Sequence, residues 1–140
     1  MNRSLLLRIA ATFSLITAVG HTVGTFMPVP PEQTQMHTTI AIMKATMIPM
    51  PVGSPRSYMQ VLDGNNICTS LFLLLCTGLL FTLAKAERER STDQVLLLTA
   101  IALGGISLIS FVYFFPVPGV CTGLAAILTL FARTRDVRVS

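Results

Sequence analysis

The sequence predicts an all-α integral membrane protein, a bundle of four membrane-spanning helices with both termini cytoplasmic. Three observations carry that expectation. Of the 140 residues, 52% are hydrophobic and only 11% charged, less than half the ~25% charged share of an ordinary soluble domain. Four apolar stretches approach the roughly 20 residues that a helix needs to cross a hydrocarbon core. The basic residues gather at the ends of those stretches, almost all on one side.

The spans are expected at residues 5–27, 67–84, 94–115 and 117–132, within a single transmembrane domain covering 1–140. The first is read as a retained span rather than a signal peptide. Its apolar run exceeds the usual ~7–15 residues, and no small-x-small cleavage site precedes Pro28. Arg3 and Arg8 lie at the N-terminal end, Lys85, Arg88 and Arg90 join the second span to the third, and Arg133, Arg135 and Arg138 follow the fourth. In a four-span chain these share one side, and only Lys44 and Arg56 fall on the other. The positive-inside rule then places the basic side in the cytoplasm, with a bacterial inner membrane as the expected location. The net charge of +4 does not indicate nucleic-acid binding, because the basic residues form no stripe with interleaved aromatics.

The connections are unequal. Residues 28–64 form a long outer loop, too long to be structureless without a function. Within it, prolines 28, 30 and 31 on one side and 49 and 51 on the other frame residues 36–48. That stretch suits a short interfacial helix with Ile40, Met43 and Met47 on one face, a lid over the outer end of the bundle. Pro116-Val117-Pro118-Gly119 reads as a tight hairpin between the last two spans. Gly20 with Gly24, Gly119 with Gly123, and the Gly104-Gly105 pair let helix backbones approach closely, within one bundle or between copies in a homo-oligomer.

Ser14, Thr17, His21 and Thr25 recur at spacings of three and four, hence on one face of the first span, and lipid should turn that face inward. His21 is the notable member, since an ionisable residue inside a span is costly and a functional candidate by default. The alternative is a neutral imidazole satisfied by a hydroxyl or a carbonyl. The second cluster is Arg56, Tyr58, Gln60, Asp63, Asn65 and Asn66. Asp63 and Asn66 are three apart and share a helical face. Burial would raise the Asp63 carboxyl into the range of a proton donor; the alternative is that Asp63 caps the second span. Asp63 and His21 are the candidate catalytic pair. Tyr58, Asn65, Asn66, Glu32, Arg56 and Tyr113 are the candidate substrate-binding residues. Glu87, Glu89, Asp93 and Asp136 read as solvated charge among the cytoplasmic basic residues.

No histidine or acid spacing specifies a metal site, and His21 has no second intramembrane histidine with which to ligate haem. Cys68 and Cys121 lie near outer helix ends, where an oxidising compartment could join them. Cys76, mid-span, reads as an apolar filler, and five methionines between residues 27 and 50 read as adaptable packing.

Gly20-His21-Thr22-Val23-Gly24-Thr25-Phe26, Gly53-Ser54-Pro55-Arg56-Ser57-Tyr58 and Tyr113-Phe114-Phe115-Pro116-Val117-Pro118 resemble motifs of a family of small uncharacterised four-span bacterial membrane proteins. The resemblance implies a four-helix fold and little about activity. Such proteins tend to continue after Arg-Ser-Tyr with Trp-Asp and then aromatic and glycine residues. Here the run is Met59-Gln60-Val61-Leu62-Asp63-Gly64-Asn65-Asn66, which implies that Asp63, Asn65 and Asn66 are gains at positions usually apolar or small.

The expected function is therefore a small membrane enzyme acting by acid–base chemistry on a lipophilic small molecule, as in an isomerisation, cyclisation or epoxide opening, with no cofactor. The alternative is a non-catalytic membrane protein that binds a lipid, quinone or partner helix. A transporter is the least favoured, since four spans without an inverted repeat offer little for alternating access.

Overall fold

In a computed structural model the chain is described over residues 2–113 and 116–134. The elements are α1 (Arg3–Phe26), α2 (Thr34–Ala45), β1 (Met47–Ile48), β2 (Arg56–Ser57), α3 (Tyr58–Leu83), α4 (Arg90–Tyr113) and α5 (Pro116–Thr134). Helices α1, α3, α4 and α5 are long and apolar enough to cross a membrane. The shortest, α5, has 19 residues, about 28 Å at ~1.5 Å per residue. Leu71, Leu75, Ile101, Leu108, Val112 and Leu130 all lie exposed on these helices, a greasy outer surface that water would not tolerate. The protein is an all-α, four-helix, multi-pass membrane protein.

Each inward face is a narrow stripe of small and hydroxyl side chains with leucines between them. On α4 the buried residues are Thr92, Leu96, Thr99, Ala100, Leu103, Ser107 and Ser110. On α5 they are Gly119, Thr122, Ala125, Ala126, Thr129 and Ala132. Spacings of three and four keep each set on one side of its helix. Three of these hydroxyls donate to the carbonyl four residues back: Thr99 to Val95 (2.8 Å), Thr122 to Pro118 (2.7 Å) and Thr129 to Ala125 (2.7 Å). Each such bond returns a hydroxyl hydrogen to its own helix, where the bilayer offers no water to accept it.

The chain divides into two compact units, residues 1–19 with 71–140, and residues 20–70. In the first unit, α1 and α3 are tied through Ser14. Thr77 Oγ1 lies 2.9 Å from both Ser14 Oγ and the Leu73 carbonyl, to either of which it can donate, and Ser14 donates to the Leu73 carbonyl (3.3 Å). Leu7, Leu73, Leu80, Leu96 and Leu103 are the large fully buried side chains around these bonds. Helices α4 and α5 press closest where glycine allows it. A Cβ on Gly123 would sit 2.8 Å from Ser107 Oγ, and one on Gly119 would sit 3.0 Å from the Phe111 ring. Ser107 in turn donates to the Gly119 carbonyl at 2.7 Å. The Gly119/Gly123 pair thus seats α5 against α4, as expected. Among the described residues, a Cβ on Gly104 would meet only the Ala126 Cβ at 4.0 Å, while Gly20, Gly24 and Gly105 have nothing within 4 Å, so the pair in α1 forms no such seam within the chain.

The second unit holds the end of α1, helix α2, a two-residue antiparallel ladder pairing Met47 with Ser57 and Ile48 with Arg56, and the start of α3. Several expectations are corrected here. The helix inside the long connection runs from Thr34 to Ala45, so Met47 lies in β1, apart from Ile40 and Met43. The connection ends at residue 57 and not at 64, because α3 begins nine residues before the apolar run. The reason is a capping box: Ser57 Oγ accepts the Gln60 N–H (3.2 Å), and Gln60 Oε1 accepts the Ser57 N–H (2.9 Å). Asp63 is therefore not the cap of this helix; it lies in its second turn. Pro116, Val117, Pro118 and Gly119 are the first turn of α5 and not a hairpin. A proline in a first turn sacrifices only an N–H that has no helical partner. Phe115 and the tail residues Arg135, Asp136 and Arg138 lie outside the described residues.

The glycine contacts set an order of tolerance. Gly123→Ala drives a methyl group into the Ser107 hydroxyl and strains its bond to Gly119, whereas Gly24→Ala enters open space. Thermal unfolding in detergent should show a loss of about 1–3 kcal/mol for Gly123→Ala, the usual cost of overpacking, and little or none for Gly24→Ala. Equal effects would contradict the seam.

Candidate functional site

The candidate residues in unit 20–70 sit on two helices and the strands that lead into one of them. His21 is half-buried near the end of α1, and its Nε2 lies 3.2 Å from the Asn66 carbonyl oxygen. A carbonyl only accepts, so Nε2 carries the hydrogen. A neutral His21 is thereby fixed in one tautomer, with Nδ1 bearing the free lone pair. The neighbouring turns reinforce this attachment. Thr25 donates to the His21 carbonyl (2.8 Å), and Thr22 donates to Ser70 Oγ (3.0 Å).

Asp63 lies one helical turn before Asn66, on the face of α3 that continues through Ser70. That face is the less exposed one: Met59, Asp63 and Asn66 are half-buried and Ser70 is buried. Among the described residues no side chain or backbone group forms a hydrogen bond or ion pair with the Asp63 carboxylate. The structure thus joins His21 to Asn66 and places Asp63 on the adjacent turn.

The other candidates stand apart from this pair. Tyr58 is 49% exposed and Asn65 is exposed. Seven residues apart on α3, the two share a face roughly opposite that of Asp63. Asn66 takes part through its carbonyl. Arg56 is exposed in β2, and Glu32 is exposed in the turn before α2, where Gln33 donates its N–H to the Pro30 carbonyl (3.0 Å). Glu32 lines a shallow, open depression of about 540 Å³ together with Gln33, Thr34, Gln35, Met36 and Thr39. His37 donates to the Pro30 carbonyl (3.2 Å) and closes the same turn. Tyr113, which belongs to the other unit, is 77% exposed. No group of three or more His, Cys, Asp or Glu able to hold a metal ion occurs among the described residues. Cys68, Cys76 and Cys121 are free thiols.

Two features escaped the sequence reading. Thr22 and Ser70 form a hydroxyl–hydroxyl bond between α1 and α3, yet Thr22 lies off the Ser14–Thr17–His21–Thr25 face, so its spacing gave no signal. The charged connection from α3 to α4 is not merely solvated. Arg3 is 9% exposed and donates to the Ala86 carbonyl (3.1 Å), and Arg88 pairs with Asp93 (3.0 Å).

Comparison with known protein families, with curated proteins and with solved structures finds nothing that matches this chain.

The hydrogen bond to Asn66 makes a spectroscopic prediction. In ring-labelled protein held near pH 8, 15N NMR should find the His21 Nδ1 unprotonated and Nε2 protonated; the opposite tautomer would contradict the geometry.

Proposed function

We propose that this membrane protein acts on a lipophilic small molecule by acid–base chemistry, with His21 and Asp63 as the exchanging pair. The reading rests on one observation: His21 spends its Nε2 hydrogen on the backbone carbonyl of Asn66, and Asn66 lies one helical turn along α3 from Asp63, whose carboxylate has no partner among the described residues. Two titratable groups, one of them oriented by a hydrogen bond, are the minimum apparatus for moving a proton within one substrate. The imidazole and the carboxyl group would exchange protons with the substrate, one accepting while the other donates, as an isomerisation, cyclisation or epoxide opening requires. Such a route uses no cofactor. The excess of arginine and lysine around the α3–α4 connection supports cytoplasmic termini in a bacterial inner membrane.

A second reading, non-catalytic binding of a lipid, quinone or partner helix, has its own support. The depression that holds Glu32 is lined by neither His21 nor Asp63, and an imidazole satisfied by a helix carbonyl is stable with no further task.

Asp63→Asn separates the two. Purified protein in nanodiscs, incubated with a membrane-lipid extract and followed by mass spectrometry, should convert a component of that extract. Asp63→Asn should lower the rate by about 10²–10⁴-fold with an unchanged Tm. Full turnover in the variant would overturn the catalytic reading. A lowered Tm, with ligand retained in proportion to folded protein, would favour the binding one.

A further inference from the structure

The charged end of the first unit holds an open cavity of about 610 Å³ lined by Arg88, Glu89, Arg90, Asp93, Gln94, Leu97 and Arg133. Three guanidinium groups and two carboxylates face it, and they are not evenly matched. Asp93 is committed to Arg88 through Oδ2, at 3.1 Å from Nε and 3.0 Å from Nη2. Arg88 also donates to the Arg133 carbonyl (3.0 Å), at the last turn of α5. Glu89 accepts the Ser91 hydroxyl (3.2 Å). Arg90 and Arg133 have no acidic partner among the described residues, and both Nε of Arg133 and Oδ1 of Asp93 are buried without any hydrogen bond.

Two further features share that cavity. The N-terminal turn of α4, a helix of 24 residues, opens onto it, and the N–H groups and dipole of such a turn favour an anion. At its other side lies Leu97, two turns along α4 from Arg90. Its neighbours Leu98 and Ile101 are more than 60% exposed on the greasy outer surface. A positively charged mouth therefore runs directly into a surface made for acyl chains. Free phosphate would use only the mouth, whereas a phospholipid would use both.

We propose that this cavity binds the phosphate of an anionic phospholipid headgroup, with Arg90 and Arg133 as its ligands. Arg88, fixed by Asp93 and by the end of α5, positions the wall between them. A bidentate guanidinium contact is the geometry best suited to phosphate oxygens, and each basic residue at a membrane surface strengthens binding to anionic lipid about fivefold. The site is independent of His21 and Asp63.

The test is native mass spectrometry of the full chain released from micelles containing equal phosphatidylglycerol and phosphatidylcholine. The wild type should retain phosphatidylglycerol preferentially. Arg90→Gln and Arg133→Gln should each reduce that retention about fivefold, and Arg90→Lys and Arg133→Lys should restore part of it. A thermal-shift series should show stabilisation by short-chain phosphatidylglycerol and none by inorganic phosphate at the same concentration. Equal retention of the two lipids, retention unaffected by either glutamine variant, or equal stabilisation by inorganic phosphate would overturn the proposal. Arg90 is exposed and unpaired among the described residues, so Arg90→Gln keeps the test decisive should Arg133→Gln fail to fold.

Discussion

In lipid there is no hydrophobic effect to press one helix against another, so association depends on close approach and on polar groups that have no better partner. The structure depends on that constraint throughout. Many large apolar side chains point outward from α3, α4 and α5, while serines, threonines, alanines and glycines, with leucines between them, fill the buried stripes. Where α4 meets α5 the spacing is set by two glycines, because a methyl group at either position would meet Ser107 or the Phe111 ring at 3.0 Å or less. Where α1 meets α3 the contact is a short relay from the Thr77 hydroxyl to Ser14 and on to the Leu73 carbonyl.

The candidate site is a continuation of the same design along each helix. The α1 stripe of Ser14 and Thr17 leads to His21, and the α3 stripe of Thr77 and Ser70 leads to Asn66 and Asp63. Polarity on these faces rises from hydroxyl to imidazole and carboxylate. A hydroxyl can always return its hydrogen to the carbonyl four residues back, but a carboxylate cannot, having only acceptor oxygens. Asp63 therefore needs a partner that its own helix does not supply, whereas the His21 imidazole finds one in the Asn66 carbonyl. That asymmetry distinguishes this pair from the structural hydroxyls before it.

Much of this was legible in the residues. The four spans follow from apolar length, and the glycine pair at 119 and 123 from the need for close approach. The inward turn of Ser14 and Thr17 follows from their spacing. The start of α3 was misplaced because hydropathy begins at Ile67, whereas the helix is initiated by Ser57 and Gln60, whose capping box is polar and lies outside any apolar run. The same error made Asp63 look like a cap. Gly20 and Gly24 carry the same spacing as Gly119 and Gly123 yet meet nothing, because spacing tells which residues share a face but not what the face meets. The split of Tyr58 and Asn65 from Asp63 was readable from the 3.6-residue period once the helix was known to include all three. The commitment of Asp93 to Arg88 was not, since local charge alternation looks the same whether or not the side chains fold onto one another.

The dependence of the fold on buried hydroxyl contacts is tested most directly by a double-mutant cycle between Ser14→Ala and Thr77→Val, read from reversible unfolding in mixed micelles. A coupling of about 0.6 kcal/mol, and up to ~1.7 kcal/mol, is expected for a hydrogen bond between membrane helices. Strictly additive losses would contradict the account and assign the association of α1 with α3 to apolar packing alone.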